Sequence, residues 1–290
     1  MPRRPRIHVP GGYYHVILRG NHRQDIFYTE DDRLRLDGFI ADALEPTGVR
    51  IHAYCWMTNH IHMLCQVSDQ PLGRFMQRIG TRYARAVQRQ VPTTGHLFEN
   101  RYYSVIVDAD AYFRQLLRYI HLNPVRAGLV ADPSEYPWSS QRAYLDMAAS
   151  PWLEVDFGLS MFGADRDRAR RRLGDFVAAG VGAPRDPALY ATHPREPRVL
   201  GDDAFLARVV ALAQPVRPSV SLDEIAVAVC HELQLDLADV RCPSQRRTVS
   251  RARGLITARA LEARAASLSE VARWLDRDIS SVSRAAQRYG

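Results

Sequence analysis

The sequence contains no lysine: all 39 basic residues are Arg, set against 32 acidic residues, for a formal net charge of +7 over 290 residues. That absence excludes a phosphate-loop lysine and any lysine Schiff base. Cysteine is scarce. Cys55, Cys65, Cys230 and Cys242 have no C-x-x-C spacing, which excludes a cysteine-ligated zinc site and a disulfide scaffold and suits a reducing, cytoplasmic setting. No run of about 18 apolar residues occurs, so no membrane-spanning helix is expected. The opening stretch MPRRPRIHVPGGYY is basic but has no apolar stretch, and it does not read as a secretory signal.

What is abundant is Arg. GC-rich coding favours the same bias, but the physical consequence holds whatever its origin. Guanidinium groups grip phosphate bidentately and stack on bases, so a basic, all-Arg chain suits nucleic acid as a partner. With 46% hydrophobic and 24% charged residues, the chain has the composition of a folded protein. Its length suits two domains.

Composition divides the chain into three zones. Residues 1–145 alternate strand-like and helix-like runs. Residues 146–218 are rich in Pro and charge and read as a partly helical connector, with a helix expected over Asp165–Val177. Residues 219–290 have little Gly or Pro and strong helical periodicity, so they are expected to form a small all-α module.

In the first zone, Tyr13–Arg19 reads as a strand and Asp31–Leu44 as a helix ending before Pro46. Val49–Met57 and His60–Val67 read as a hairpin, Leu72–Gln90 as a helix, Tyr102–Val107 as a strand, and Ala109–His121 as a helix closed by Asn123-Pro124. The order β-α-β-β-α-β-α predicts an α+β, ferredoxin-like antiparallel sheet with helices on one face.

Three features carry chemistry. His60 and His62 lie two apart in an apolar strand and share a face, so both imidazoles could hold one divalent cation. Alone, an H-x-H strand also suits an ordinary polar face. In AYFRQLLRYIHLNPVRAG, Phe113, Leu116, Leu117 and Ile120 form an apolar helix face. Tyr112, Gln115, Tyr119 and Asn123 fall beside it, with Tyr119 and Asn123 at i, i+4. Tyr119 also suits a rim position and Asn123 a helix cap. On the Leu72–Gln90 helix, Arg74, Arg78, Arg82, Arg85 and Arg89 recur at helical spacing with no acid among them. Such a single-sign stripe suits a phosphate backbone, and an Arg-rich chain also produces one by chance. Arg19, Asn21 and Arg23 follow the first strand in a loop placed to contact a nucleic-acid strand.

An N-H-I-H strand followed by a Y-I-H-x-N-P-V-R-A-G helix, with YYHVILRGNHRQDIF before both, resembles the single-tyrosine HUH transposases, in particular the REP-associated branch. The resemblance covers about residues 7–145. It implies that His60, His62 and Asn123 hold Mg²⁺ or Mn²⁺ and that Tyr119 is the nucleophile. It further implies that single-stranded DNA at a hairpin is cut and rejoined through a 5′-phosphotyrosine, with no ATP site needed. Relatives of this kind act as monomers or homodimers. Two other readings stay open: a DNA-binding regulator built on an inactive scaffold, and a metal-dependent hydrolase using water in place of Tyr119.

Residues 219–290 resemble the DNA-binding domain of the bacterial replication initiator DnaA. Residues 241–264 hold seven Arg against one Glu. The resemblance implies that Arg246, Arg247, Arg251 and Arg253 contact DNA, and that Ser280–Arg288 is the recognition helix of a helix-turn-helix, with Arg277 and Ser281 at its start. Ile279 stands where that family has His, so duplex binding is implied and recognition of the initiator's own site is not. Together the resemblances imply a cytoplasmic, nucleoid-associated bacterial protein with DNA as its partner.

Overall fold

The computed structural model describes residues 6–91, 95–213, 220–244, 246–263 and 265–289. The chain forms two compact units, Met1–Gln214 and Pro215–Gly290. Among the described residues no helix is long and apolar enough to cross a membrane.

The first unit runs β1 (Tyr13–Arg19), α1 (Glu30–Thr47), β2 (Arg50–Trp56), β3 (His60–Gln66), α2 (Leu72–Gln90), β4 (Tyr103–Val107), α3 (Ala109–His121) and the single turn α4 (Asn123–Arg126). It continues through α5 (Gln141–Tyr144), α6 (Asp156–Ser160), α7 (Arg166–Ala178), β5 (Val199–Leu200) and α8 (Asp203–Leu212). The sheet order is β2-β3-β1-β4-β5, antiparallel except for the β4–β5 pair. The first four strands give the expected ferredoxin-like order.

Alternation along β1 buries Tyr14, Val16 and Leu18 on one face and leaves Tyr13, His15, Ile17 and Arg19 half-buried on the other. Register then aligns His15 with Leu64, Ile17 with His62, and Arg19 with His60. Period two therefore puts His15, His60 and His62 on the more open face. The helices are shared between both faces rather than gathered on one. On the buried face, Trp56 donates its indole N–H to Asp37 of α1 at 2.9 Å, and α1 packs along α2. On the open face, α3 packs through Phe113 against Tyr13 and His52 at ring distances of 5.8 and 5.5 Å.

Helix α1 continues past its expected end, through Pro46 to Thr47, and stops at Gly48 in the left-handed region (φ 61°). A proline in the last turn forfeits one amide bond but does not end the helix there; the left-handed glycine does.

Residues 146–213, expected as a connector, fold onto the first unit. Leu153, Leu159, Leu173, Val177, Val199, Leu200, Leu206 and Val209 are all buried in its core, and β5 extends its sheet. The apolar residues come in short runs between prolines, so no single run announces a core. Their sum stabilises the unit nonetheless.

The second unit is all α: α9 (Leu222–Glu232), α10 (Leu237–Arg241), α11 (Arg247–Glu262), α12 (Leu268–Trp274) and α13 (Ile279–Tyr289). Its core centres on Val229, Ile256, Val271 and Leu275. Capping boxes start α9 (Ser221 with Glu224) and α12 (Ser267 with Glu270), satisfying amides that the first helical turn leaves unpaired. Gly254 lets α11 meet α13: a Cβ there would lie 2.5 Å from the Ala285 carbonyl oxygen.

Candidate active site and DNA interface

Tyr119 is brought to the histidine face by α3. Asp108 precedes the helix, and Phe113, Leu116, Leu117 and Ile120 are buried. That apolar stripe fixes the rotation of the helix, and rotation aims Tyr119 at the sheet. Its ring meets His62 edge-on at 5.6 Å and His15 edge-on at 5.7 Å. His60 lies against His62 at 4.9 Å. The neighbouring His121 points elsewhere: it is fully buried, with Nε2 2.7 Å from Ser140 Oγ.

Asn59 fixes the tautomer of His60. Its amide Nδ2 donates to the Arg23 carbonyl at 3.0 Å, which turns Oδ1 toward His60 Nδ1 at 2.7 Å. A carbonyl oxygen accepts, so His60 Nδ1 carries the proton and Nε2 keeps its lone pair. Burial, reinforced by the Arg19 charge, holds His60 down to about pH 4. Burial, with His15, His60 and Arg19 adding to it, holds His62 well below the ordinary imidazole value. Both rings are therefore neutral near pH 7, the state a metal ligand needs.

His15 belongs to this group and was not singled out by the sequence reading. Its Nε2 lies 3.1 Å from His62 Nδ1, and the two rings stack at 5.3 Å. The available signal was period two: in YYHVILR, His15 shares a face with Tyr13 and Ile17. Its meeting with His62 depends on strand register across 47 residues, which no local pattern encodes.

Asn123 ends α3. Its Nδ2 donates to the Tyr119 and Ile120 carbonyls at 3.0 and 3.3 Å, and among the described residues no hydrogen bond is made by Oδ1. Among the described residues no hydrogen bond joins Asn123 to His60 or His62. No group of three or more His, Cys, Asp or Glu is placed to hold a metal among them either. The candidate donor set is thus two neutral imidazoles and one amide oxygen. Donors of that chemistry would suit a divalent cation.

Burial raises the Tyr119 phenol well above its ordinary value, and a hydrogen bond with Tyr190 raises it further; Arg185 and Arg126 oppose them. Tyr190 meets the Tyr119 ring at 6.0 Å. It comes from the segment expected to be a connector, and for that reason was not foreseen as a neighbour of the site.

Arg19 shares the face of His60. Asn21 and Arg23 follow in a short turn where His22 and Arg23 are left-handed (φ 49° and 59°), an uncommon conformation outside glycine. Arg23 is exposed and Asn21 half-buried. The α2 stripe lies with α1, on the side of the sheet away from Tyr119. Arg74, Arg78, Arg85 and Arg89 are exposed there, but Arg82 pairs with Asp42 at 2.8 Å and covers the Phe39 ring. Arg82 therefore ties α2 to α1 and leaves the stripe.

Residues 8–123 match the family model for IS200-like transposases. That segment of the chain is similar to the IS200-like transposases. It contains His60, His62, Tyr119 and Asn123 and ends at Asn123. Tyr190 lies outside it. Two solved structures are similar to the chain. One is a REP-associated tyrosine transposase bound to a REP hairpin, 19% identical, covering 53% of this chain and 92% of that one, with a TM-score of 0.44. The other is a candidate transposase from Deinococcus radiodurans, 20% identical, covering 41% of this chain and 95% of that one, with a TM-score of 0.30. No curated protein matches the chain.

Beyond the matched segment, the second unit divides its arginines. Arg246, Arg247 and Arg251 are exposed. Arg253, expected to contact DNA, is buried: its guanidinium donates to the carbonyls of Val240 and Ser244, each at 2.8 Å, and of Cys242. Arg277 donates to the same Cys242 carbonyl and to that of Asp276. Both hold the loop before α11 in place, because unpaired buried carbonyls are costly and a charged donor fork satisfies several at once. Ser281 is exposed and lines an open groove of about 480 Å³ with Arg247, Ser250, Arg284 and Arg288. Arg284 and Arg288, at i+3 and i+7 from Ser281, lie within the expected recognition helix.

Proposed function

We propose that the first unit cuts and rejoins single-stranded DNA, at hairpins associated with repeats, by transesterification on Tyr119. The observation that carries this reading is the packing of Tyr119 edge-on against His62 and His15 with His60 beside them. In the cutting step the Tyr119 Oη–P bond forms and the P–O3′ bond breaks. The 3′ oxygen leaves as a hydroxyl, and the 5′-phosphate stays on the protein. Attack by another 3′-OH reverses the step and joins strands, with the ester bond conserved throughout.

Tyr119 is a neutral phenol at rest, because burial and the Tyr190 hydrogen bond disfavour its charged form. Arg126, 5.5 Å from the ring, and Arg185 favour the phenolate, so loss of the Tyr190 bond eases ionisation. His60 and His62 would hold Mg²⁺ or Mn²⁺, with Asn123 as third ligand, and the chemistry such an ion supplies is polarisation of the scissile phosphate. For His62 to offer Nε2, its Nδ1 must carry the proton and donate it to His15 Nε2. His15 is thus a positioning residue for His62.

The second unit, in this reading, is a DnaA-like helix-turn-helix that binds duplex DNA through α13. Exposed Arg246, Arg247 and Arg251, and the groove bearing Ser281, Arg284 and Arg288, support that role. Phosphate contacts from these arginines supply affinity, and Ser281 at the start of α13 is placed for base edges.

Tyr119→Phe tests the central step. It removes one oxygen and keeps the packing, so folding and DNA binding stay and the covalent protein–DNA species on a denaturing gel disappears. An adduct that survives Tyr119→Phe and vanishes in Tyr112→Phe overturns the assignment.

A further inference from the structure

Tyr119 and His15 help to line a pocket of about 160 Å³ whose other lining residues take no part in the bond making at phosphorus. Val105, Leu116 and Leu200 give it apolar walls. Two tyrosines form its rim, Tyr103 on β4 and Tyr190 in the segment after α7, and they are 52% and 50% exposed. Thr192 adds a hydroxyl. Half-exposed aromatic rings over an apolar pocket leave flat faces free to stack.

The surroundings of the pocket point to its ligand. It shares Ile17 and Tyr103 with an open groove of about 550 Å³ in which Arg19 and Arg101 stand with one acid, Glu99. It shares Tyr119 and Leu189 with a small cleft that holds Arg118 and Arg126, again with one acid, Asp186. An aromatic pocket therefore sits between two arginine-bearing clefts, and Tyr119 stands where the pocket meets the second. A single nucleic-acid strand presents anionic phosphates on either side of each flat base, and proteins hold such strands with cationic tracks and aromatic platforms.

We propose that this pocket binds one nucleobase of a single DNA strand, stacked on Tyr190 and Tyr103, and so sets the adjoining phosphate at Tyr119. The proposal rests on the reading of Tyr119 as a nucleophile toward DNA. Because Tyr190, Thr192 and Leu200 lie outside residues 8–123, the pocket is completed by the part of the unit that the family model does not match.

The test is equilibrium binding by the full-length chain, read by fluorescence anisotropy in excess EDTA. One probe is a labelled twelve-residue oligothymidylate, and the other is a strand of equal length with abasic residues throughout. Wild type binds the thymidylate more tightly. That preference falls by about fivefold or more in Tyr190→Ala and in Tyr103→Ala, the low end of what one base–aromatic stack supplies. Affinity for the abasic strand, which reports the arginines, is unchanged in both. Tyr190→Phe keeps the ring and keeps the preference. An unchanged preference in both alanine variants, or its loss in Tyr190→Phe, overturns the proposal. Melting by circular dichroism checks folding, and if Tyr190→Ala does not fold, Tyr103→Ala decides alone. Failure of the two readings is separable. A chain that forms the covalent adduct but shows no ring-dependent base preference keeps its nucleophile and loses the pocket. A chain with the preference and no adduct loses the nucleophile and keeps a base-binding pocket.

Discussion

The candidate centre of the first unit and the groove of the second use polar residues in opposite ways. Around Tyr119 the histidines are buried and held neutral: His15 and His60 are pushed down to about 4 and His62 well below its ordinary value, all by burial first. Around Ser281 the groups are exposed guanidiniums. The contrast separates two physical tasks. Bond-making at phosphorus needs free lone pairs and few competing waters. Holding a polyanion needs fixed positive charge at a surface, where counterions can be released. Arginine also serves a third task in both units, since Arg82 and Arg253 are held by internal partners and offer little to a ligand.

The largest effect that would sharpen this contrast is expected from the histidine face. His60→Ala should reduce strand cleavage by about 100-fold or more while leaving DNA affinity within a few-fold, because the imidazole serves chemistry and the arginines serve binding. Cleavage and anisotropy measured on the same oligonucleotide check it. A parallel loss of both would erase the distinction between the two tasks.

Next come two arginines of the second unit that the sequence makes look alike. Arg253→Ala takes the donor from the Val240 and Ser244 carbonyls, while Arg277 still meets that of Cys242, and should cost about 2 kcal/mol, a fall of about 8 °C or more in the melting of that unit. Arg247→Ala should leave melting unchanged, weaken duplex binding, and lower the salt slope by about 1. Calorimetry and a salt titration separate them, and equal melting temperatures for both variants would contradict the structural role of Arg253.

A smaller effect is expected from pH. An unfolded chain protonates His near 6.5, whereas folded His15 and His60 resist until about 4, His121 until about 3, and His62 also far below. Across this window the unfolded state binds more protons, so the stability of the first unit falls as pH drops from about 6.5 toward 4. Asp37, pushed up to about 6 by burial, acts with the opposite sign but is a single group. In the second unit Glu224 and Glu270 are held low by hydrogen bonds with Ser221 and Ser267, so their contribution is lost only near and below the ordinary carboxylate range. Melting at pH 7 and pH 5 should therefore shift the first unit down and the second little. A larger shift in the second unit would contradict the burial argument.

Much of the first unit was legible in the sequence, because its elements announce themselves locally. The bounds of β1, α2 and α3 follow from alternation, helical spacing and the Asn123-Pro124 stop. That His60 and His62 share a face also followed from period two, whereas their association with Tyr119 was implied only by the resemblance to the HUH transposases. What was not legible depends on contacts between distant segments. His15 meets His62 through strand register, and Tyr190 reaches Tyr119 from a stretch whose prolines resemble a linker. Arg82, Arg253 and Arg277 carry the same side chain as the exposed arginines. Only the fold decides which guanidinium meets Asp42 or the Cys242 carbonyl and which meets solvent.

The most direct measurement of the central claim is the position of the covalent bond. Cleavage by trypsin after Arg118 and Arg126 releases residues 119–126, which contain Tyr119 and no other tyrosine. Cleavage after Arg185 and Arg195 releases residues 186–195, which contain only Tyr190. After reaction with a single-stranded hairpin oligonucleotide, nuclease trimming and mass spectrometry should find the nucleotide phosphate on the 119–126 peptide alone. A nucleotide on the 186–195 peptide, or on neither while strands are still cut, would contradict the account.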